Sequence, residues 1–381
     1  MAKVNLHQSI ESIGQTRWNA LCGTQYPFLR YEFLHALEAS GSVSATTGWQ
    51  PMHAELLDDD DNPLMLMPLY LKSHSWGEYV FDWAWADAYE RHGLNYYPKL
   101  LTAVPFTPAT GPRFGTHLSR AEVMQQLPAL VQSVCSQTRA SSWHGLFLPQ
   151  PELQCAPQPL LHRMGVQYHW FNRDYRDFDD FLDRFSSRKR KAVRRERKKV
   201  EQQGISLRRI RGKAISREQL DLFYRFYQMT YLKRGRQGYL APDFFHRLHQ
   251  SMPEQLLLIL AEREGDAIAA ALCFIGEDTL YGRYWGCVEE YDCLHFEACY
   301  YQGIEFCIEQ GLSRFDPGAQ GEHKIQRGFE PIATGSLHWI AHPGFEAAIR
   351  DFLQQESPAM QEQMEALHGW LPFKQPDVQA Q

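Results

Sequence analysis

The residues best suited to chemistry lie in the last third of the chain. Pro317-Gly318-Ala319-Gln320-Gly321 reads as a loop, followed at once by Glu322-His323-Lys324 and then by Arg327. An imidazole titrates near neutrality, so His323 can serve as a general base. Two carboxylates could assist it: Asp316, at the end of a short strand, and Glu297, near a helix N-terminus. Either could equally cap a helix or pair with a cation. Arg283 and Tyr284 alternate on a strand, so only one of them faces the same cleft. Tyr301, Gln320, Glu322, Lys324 and Arg327 complete the set expected to line it, although Tyr301 also suits the core.

These residues need elements to position them. The segment Thr279-Leu-Tyr-Gly-Arg-Tyr-Trp-Gly286 alternates apolar and aromatic residues, as a strand does. Between 295 and 309, Phe296, Tyr300, Ile304 and Cys307 recur at helical spacing, and Gly311 ends that helix. Residues 312–316 make a short strand that runs into the glycine-bearing loop. A helix between two strands, followed by such a loop, is how α/β folds carry reactive groups to a cleft.

Upstream, helical stretches between 18 and 37 break at Pro27. Strands at 53–57 and 64–72 flank Asp58-Asp59-Asp60-Asp61, which read as a solvated hairpin tip and not as a metal site. A third strand is expected at 79–83. Ser119 and Glu122 form a capping box for a helix over 119–140. Strands at 144–148 and 167–172 follow. The pattern then resets with a helix faced by Phe178, Phe181, Leu182 and Phe185 and continued by Val193 and Val200. A strand, a helix capped by Ser216, and strands at 256–262 and 267–276 come next. The two halves rhyme in this order, which suggests a duplicated α/β unit.

The 381 residues are 44% hydrophobic, enough for two globular domains. No apolar run reaches membrane-spanning length, and the opening residues lack the pattern of a secretion signal. Eight cysteines without a CxxC pair fit a reduced, cytoplasmic protein. Net charge is −6, yet nine basic residues and one acid lie between Arg188 and Lys199. Such a stripe on an acidic chain points to a local anionic ligand and not to DNA. Its plainer reading is a solvated helix face.

Walker A, GxSxG, HExxH and dinucleotide patterns are absent. The helix, strand and helix order suggests the GNAT acyltransferase fold, whose diphosphate loop reads [RQ]xxGx[GA]. One match, Arg209 to Ala214, precedes the central strands. The run Arg283 to Val288 sits in the right place but lacks the last small residue.

RKRKAVRRERKKV, LYGRYWG, HFEACYYQ and GAQGEHKIQRGF resemble the FemAB-like branch of the GNAT superfamily, the bacterial peptidoglycan biosynthesis or recognition proteins. The resemblance implies an α/β protein of two tandem GNAT-like domains with mixed central sheets, expected at 1–172 and 173–350, with a terminal helix and tail over 351–381. It implies an N-acyltransferase whose co-substrate is acyl-CoA or aminoacyl-tRNA, with no tightly bound cofactor or metal. The acceptor would be a small-molecule or peptide amine, for instance a cell-wall precursor. Donor phosphates would rest on Arg188, Lys189, Arg190, Arg194 and Arg195, and the acceptor against Arg283, Glu297 and the 316–327 loop. Two departures stand out: the helical-hairpin insertion of Fem transferases is missing, and Ile325-Gln326-Arg327-Gly328-Phe329 lacks their Phe-Lys. The competing class is a non-catalytic module that binds a cell-wall precursor or peptide.

Overall fold

The computed structural model describes residues 3–319 and 321–374. The chain divides into two units, one made of Met1–Val166, Tyr239–Leu248 and Ala333–Glu362, the other of Gln167–Gly238, His249–Ile332 and Gln363–Gln381.

In the first unit, Trp49–Pro51, Tyr70–Lys72 and Lys99–Thr102 pair antiparallel. The helix Arg120–Thr138 then carries the chain back to Ser142–Leu148, which runs parallel to Lys99–Thr102. Parallel strands need such a crossover. Ser119 opens this helix with a complete capping box to Glu122. Its inner face, including Leu127 and Val131, packs on Trp143 and Leu100. Gly335 to Ile340 of the last strand adds antiparallel to Ser142–Leu148. A separate four-stranded antiparallel sheet contains Lys3–His7, His53–Leu57, Pro63–Met67 and Gly115–Thr116.

The second unit repeats this connectivity. Ile205–Arg211, Leu256–Arg263, Asp266–Ile275 and Thr279–Cys287 form an antiparallel meander. A helical stretch, Leu294 to Gln310, crosses over to Arg314–Asp316, which is parallel to Thr279–Cys287. Trp170 and Phe171 then pair antiparallel with Arg314–Asp316. Both units are thus GNAT-like: antiparallel strands, a crossover helix and a parallel strand. The crossover helix contains a π turn at Glu297–Tyr301, a distortion common at functional sites.

Gly286 lets the helix Arg217–Leu232 lie directly on the sheet. A Cβ there would stand 1.9 Å from the Phe226 carbonyl oxygen. Gly286→Ala should therefore destabilise the protein by about 1–3 kcal/mol, as overpacking does. A wild-type melting temperature in that variant would contradict the close approach.

The strand expected at 79–83 does not form. Tyr79 takes a positive φ of 65°, and a helix begins at Trp83. Glu78 and Asp82 turn inward to meet Lys99, and that ion pairing overrides the alternating pattern. Among the described residues, no helix is long and apolar enough to cross a membrane.

Candidate active site

The candidate site of the second unit is built on a defect in its sheet. Leu272 pairs with Tyr284 and Cys273 with Gly282, so Arg283 is the extra residue of a β-bulge. A bulge re-aims a side chain. Here it sends the guanidinium to Asp316, Nη2 to Oδ2, at 2.8 Å. The Asp316 side chain is 1% exposed and that of Arg283 2%. The other Asp316 oxygen accepts from the Gly318 N–H at 2.8 Å, and His169 Nε2 lies 3.7 Å from it. Burial opposes the Asp316 charge, but Arg283, His169 and the Gly318 N–H outweigh it and hold the carboxyl below its ordinary value.

Lys324 reaches into the same cluster. It is buried and donates to the Gly318 carbonyl at 2.6 Å. Burial above all, with Arg283 nearby, brings its ammonium down to about 8 against the pull of Asp316. Gly318, with a φ of 90°, makes the turn that offers its N–H to Asp316 and its carbonyl to Lys324.

A second group sits beside it. His323 Nε2 shares a hydrogen bond of 2.8 Å with the Tyr300 hydroxyl. Burial, then Arg327 and Lys324, lowers the His323 pKa and favours the neutral ring at pH 7. Arg327 forks onto Glu196 at 2.7 and 3.1 Å, donates to the His323 carbonyl at 2.7 Å and lies 3.4 Å over the Phe296 ring. Tyr301, fully buried, donates its hydroxyl to the same Glu196.

The remaining expected residues lie around these groups. Both oxygens of Glu297 are engaged by Arg197, at 2.9 and 3.0 Å, and Oε1 also accepts from Gln302. Tyr284 is buried edge-on to Tyr227 and Phe274. Glu322 is exposed, and Gln320 lies outside the described residues. Among the described residues, no group of three His, Cys, Asp or Glu side chains could hold a metal ion.

The basic run forms the helix Ser187–Gln202. Of its five expected phosphate ligands, Lys189 bonds Gln326, Arg190 pairs with Asp183 and Arg194 with Asp179. Arg188 and Arg195 have no ion-pair partner among the described residues, and neither do Lys191 and Lys198. These four recur at spacings of three and four, so they form one exposed stripe.

Sequence reasoning missed several participants. Glu196, the one acid of the basic run, ties that helix to Tyr301 and Arg327. It was visible as the exception in its run. His169 was hidden because it meets Asp316 only through strand pairing. The first unit also holds an unforeseen cluster. Lys72 and Lys99 pair across adjacent strands, both fully buried. Lys99 contacts Glu78 at 2.7 Å, Ser75 at 2.8 Å, and Asp82. Tyr96 donates to Asp82 at 2.6 Å. His144 and His338 share a 2.7 Å hydrogen bond between their Nδ1 atoms. Lysines in otherwise apolar strands, and Glu78 and Asp82 four apart, were the available signal.

The buried histidines make stability depend on pH. Burial pushes His144 down to about 3, His169 to about 4 and His338 well below its ordinary value. The unfolded chain takes up these protons near pH 6.5. Their stabilisation is therefore full above about 6.5 and is lost as pH falls, at up to about 1.4 kcal/mol per pH unit for each. Glu78, raised to about 7 mainly by burial, acts in the opposite direction but is one group against three. The urea midpoint should fall between pH 7.5 and 5.0. An unchanged midpoint would contradict the buried neutral rings.

The chain matches the FemAB-like family, described as peptidoglycan biosynthesis/recognition, over residues 9–375. No curated protein sequence matches it. Among solved structures, FemX aligns with a TM-score of 0.53 at 13% identity, covering 91% of this chain and 100% of that one. The C-terminal domain (DUF2156) of a putative lysylphosphatidylglycerol synthetase from Agrobacterium fabrum aligns with a TM-score of 0.52 at 11% identity, covering 90% and 96%. A conserved protein of unknown function from Bacteroides thetaiotaomicron gives 0.52 at 10% identity, covering 88% and 99%. At these identities the likeness speaks for the fold.

Proposed function

The chain belongs to the FemAB-like family, and from that membership and the site geometry we propose that it is an N-acyltransferase. It moves an acyl or aminoacyl group from a phosphate-bearing donor, acyl-CoA or aminoacyl-tRNA, to an amine of a cell-wall precursor or peptide. The family's description, peptidoglycan biosynthesis/recognition, supports a cell-wall precursor or peptide as the acceptor. The eight free cysteines suit a reducing, cytoplasmic setting.

The observation that carries the reading is the buried Arg283–Asp316–Lys324 cluster at the bulge and the end of the parallel strand. Amide formation needs a neutral amine and a preorganised positive field for the developing oxyanion. Arg283 and Lys324 supply that field, and Asp316 holds Arg283 in place. His323 receives the amine proton as the N–C bond forms, with Tyr300 fixing its ring; the donor's C–S or C–O bond breaks, and the departing thiolate of CoA or ribose oxygen of tRNA takes up that proton. Glu297 acts as a positioning residue through Arg197, which also pairs with Glu305. Tyr301 and Glu196 hold Arg327. To test the reading, the purified protein is incubated with acetyl-CoA or with a charged tRNA pool and a lysine-containing peptide. A new amide product by mass spectrometry is expected; peptide binding without product would leave a recognition module.

The donor's phosphates are assigned to the exposed stripe of the basic helix. Changing Arg188, Lys191 and Arg195 to Glu should weaken donor binding at least a hundredfold, since charge-assisted contacts contribute roughly 1–3 kcal/mol each. The loss should shrink at high salt. Calorimetry with each donor at two ionic strengths measures this. Unchanged affinity in the folded variant would return the stripe to a solvated face.

A further inference from the structure

We propose that a cavity at the end of the strand Thr279–Cys287 is a seat for a zwitterionic amino acid unit, the acceptor end of the transferase reaction. The role as acceptor rests on the transferase reading; the seat itself does not.

The cavity has a volume of about 770 Å³, ample for an amino acid or the end of a peptide. Its walls carry both signs of charge. Lys233 and Arg234, just past the helix Arg217–Leu232, stand on the lining together with Glu289 and Glu290 from the loop after the strand. None of the four has an ion-pair partner among the described residues, and they do not pair with one another. A ligand bearing a carboxylate and an ammonium satisfies both sets, whereas a simple cation or anion leaves one set unmet. A diphosphate would meet the two carboxylates directly, which is why the donor's phosphates belong elsewhere, on the basic stripe.

The body of the ligand has aromatic walls to lie on. Trp285 and Phe296 line the cavity, and cations rest favourably over such faces. His295 joins them, 5.6 Å from the Trp285 ring and 6.2 Å from that of His323. It makes no hydrogen bond among the described residues, so its ring nitrogens are open to a ligand. Burial, then His323, Lys324 and Arg327, lowers its pKa to about 4. A neutral imidazole facing the cavity accepts a hydrogen bond from an ammonium without competing for its charge. From there His323 is the next ring along, and Tyr300 lies 5.3 Å from His295. The amine would thus be received by His295 and handed to His323, the proposed base.

Calorimetry on the full chain tests this, with L-lysine and glycylglycine as zwitterionic probes, cadaverine as a cation, acetate as a carboxylate and inorganic phosphate as the phosphoryl anion. Both zwitterions should bind at least tenfold more tightly than any of the other three. The double variants Glu289→Gln/Glu290→Gln and Lys233→Met/Arg234→Met should each lose at least tenfold, with unchanged melting temperatures because these side chains are exposed. His295→Asn should weaken the zwitterions and leave acetate unaffected. Absence of zwitterion binding, preference for phosphate, or indifference to both double variants would overturn the seat. Amide formation without zwitterion binding would sink the seat and spare the transferase. Zwitterion binding without amide formation would do the reverse.

Discussion

Replacing Lys99 by methionine will cost the first unit about 3–5 kcal/mol of unfolding free energy, the usual penalty for removing one partner of a buried ion pair. The Lys99 side chain is wholly buried between Glu78 and Asp82, which are 2% and 4% exposed. Methionine fills similar space but leaves Asp82 without its cation and Glu78 with only Lys72, 3.9 Å away. Glu78, already near 7, can take up a proton. Asp82, which Lys99 and His144 hold below its ordinary value against burial, loses the stronger of those two supports, so its burial then costs stability whether it stays ionised or takes up a proton. The triple variant Lys99→Met, Glu78→Gln, Asp82→Asn should recover part of the loss, because it removes the stranded charges with the cation. Urea unfolding of the three proteins measures both effects. A loss below about 1 kcal/mol in the single variant would mean that the pairing adds nothing beyond packing.

The second large effect concerns activity. Arg283→Met should lower the transfer rate about 10²–10³-fold, the range seen when one preorganised group facing a developing oxyanion is removed. Lysine cannot replace it, because a point charge does not reproduce the guanidinium's planar hydrogen bonding to Asp316. Asp316→Asn should act in the same direction by releasing Arg283. The rate should fall with little change in donor affinity, since the basic stripe is untouched. Single-turnover rates and donor binding, measured side by side, separate the two. A wild-type rate in folded Arg283→Met would remove the cluster from the reaction.

Much of the local structure was legible because its causes are local. Ser119 with Glu122, and Ser216 as a cap, announce helix starts; the structure realises both as capping boxes, the second completed by Gln219. Gly311 ends its helix in the left-handed conformation that glycine favours. The loop after Asp316 was readable from its glycines. What could not be read depends on strands meeting across long separations. Asp316 finds His169 through antiparallel pairing, and Lys99 finds Glu78 and Asp82 through a loop that resembled a strand. Within the basic run, helical spacing spreads the charges over more than one face. It could not show that Asp179 and Asp183 would neutralise Arg194 and Arg190 and leave Arg188, Lys191, Arg195 and Lys198 exposed. The π turn at Glu297–Tyr301, whose Glu297 pairs with Arg197 from the basic helix, likewise has no sequence signature.

Whether the second unit joins an acyl or aminoacyl group to an amine is decided by the bond that forms. Radiolabelled acetyl-CoA and a radiolabelled aminoacyl-tRNA pool are each supplied with a lysine-containing peptide, and the peptide is recovered and treated with hydroxylamine at alkaline pH. Label is expected on the peptide from at least one donor, resistant to hydroxylamine as an amide is, and reduced to background by Arg283→Met. Label that hydroxylamine releases, or no label from either donor with a folded protein, would contradict that transfer.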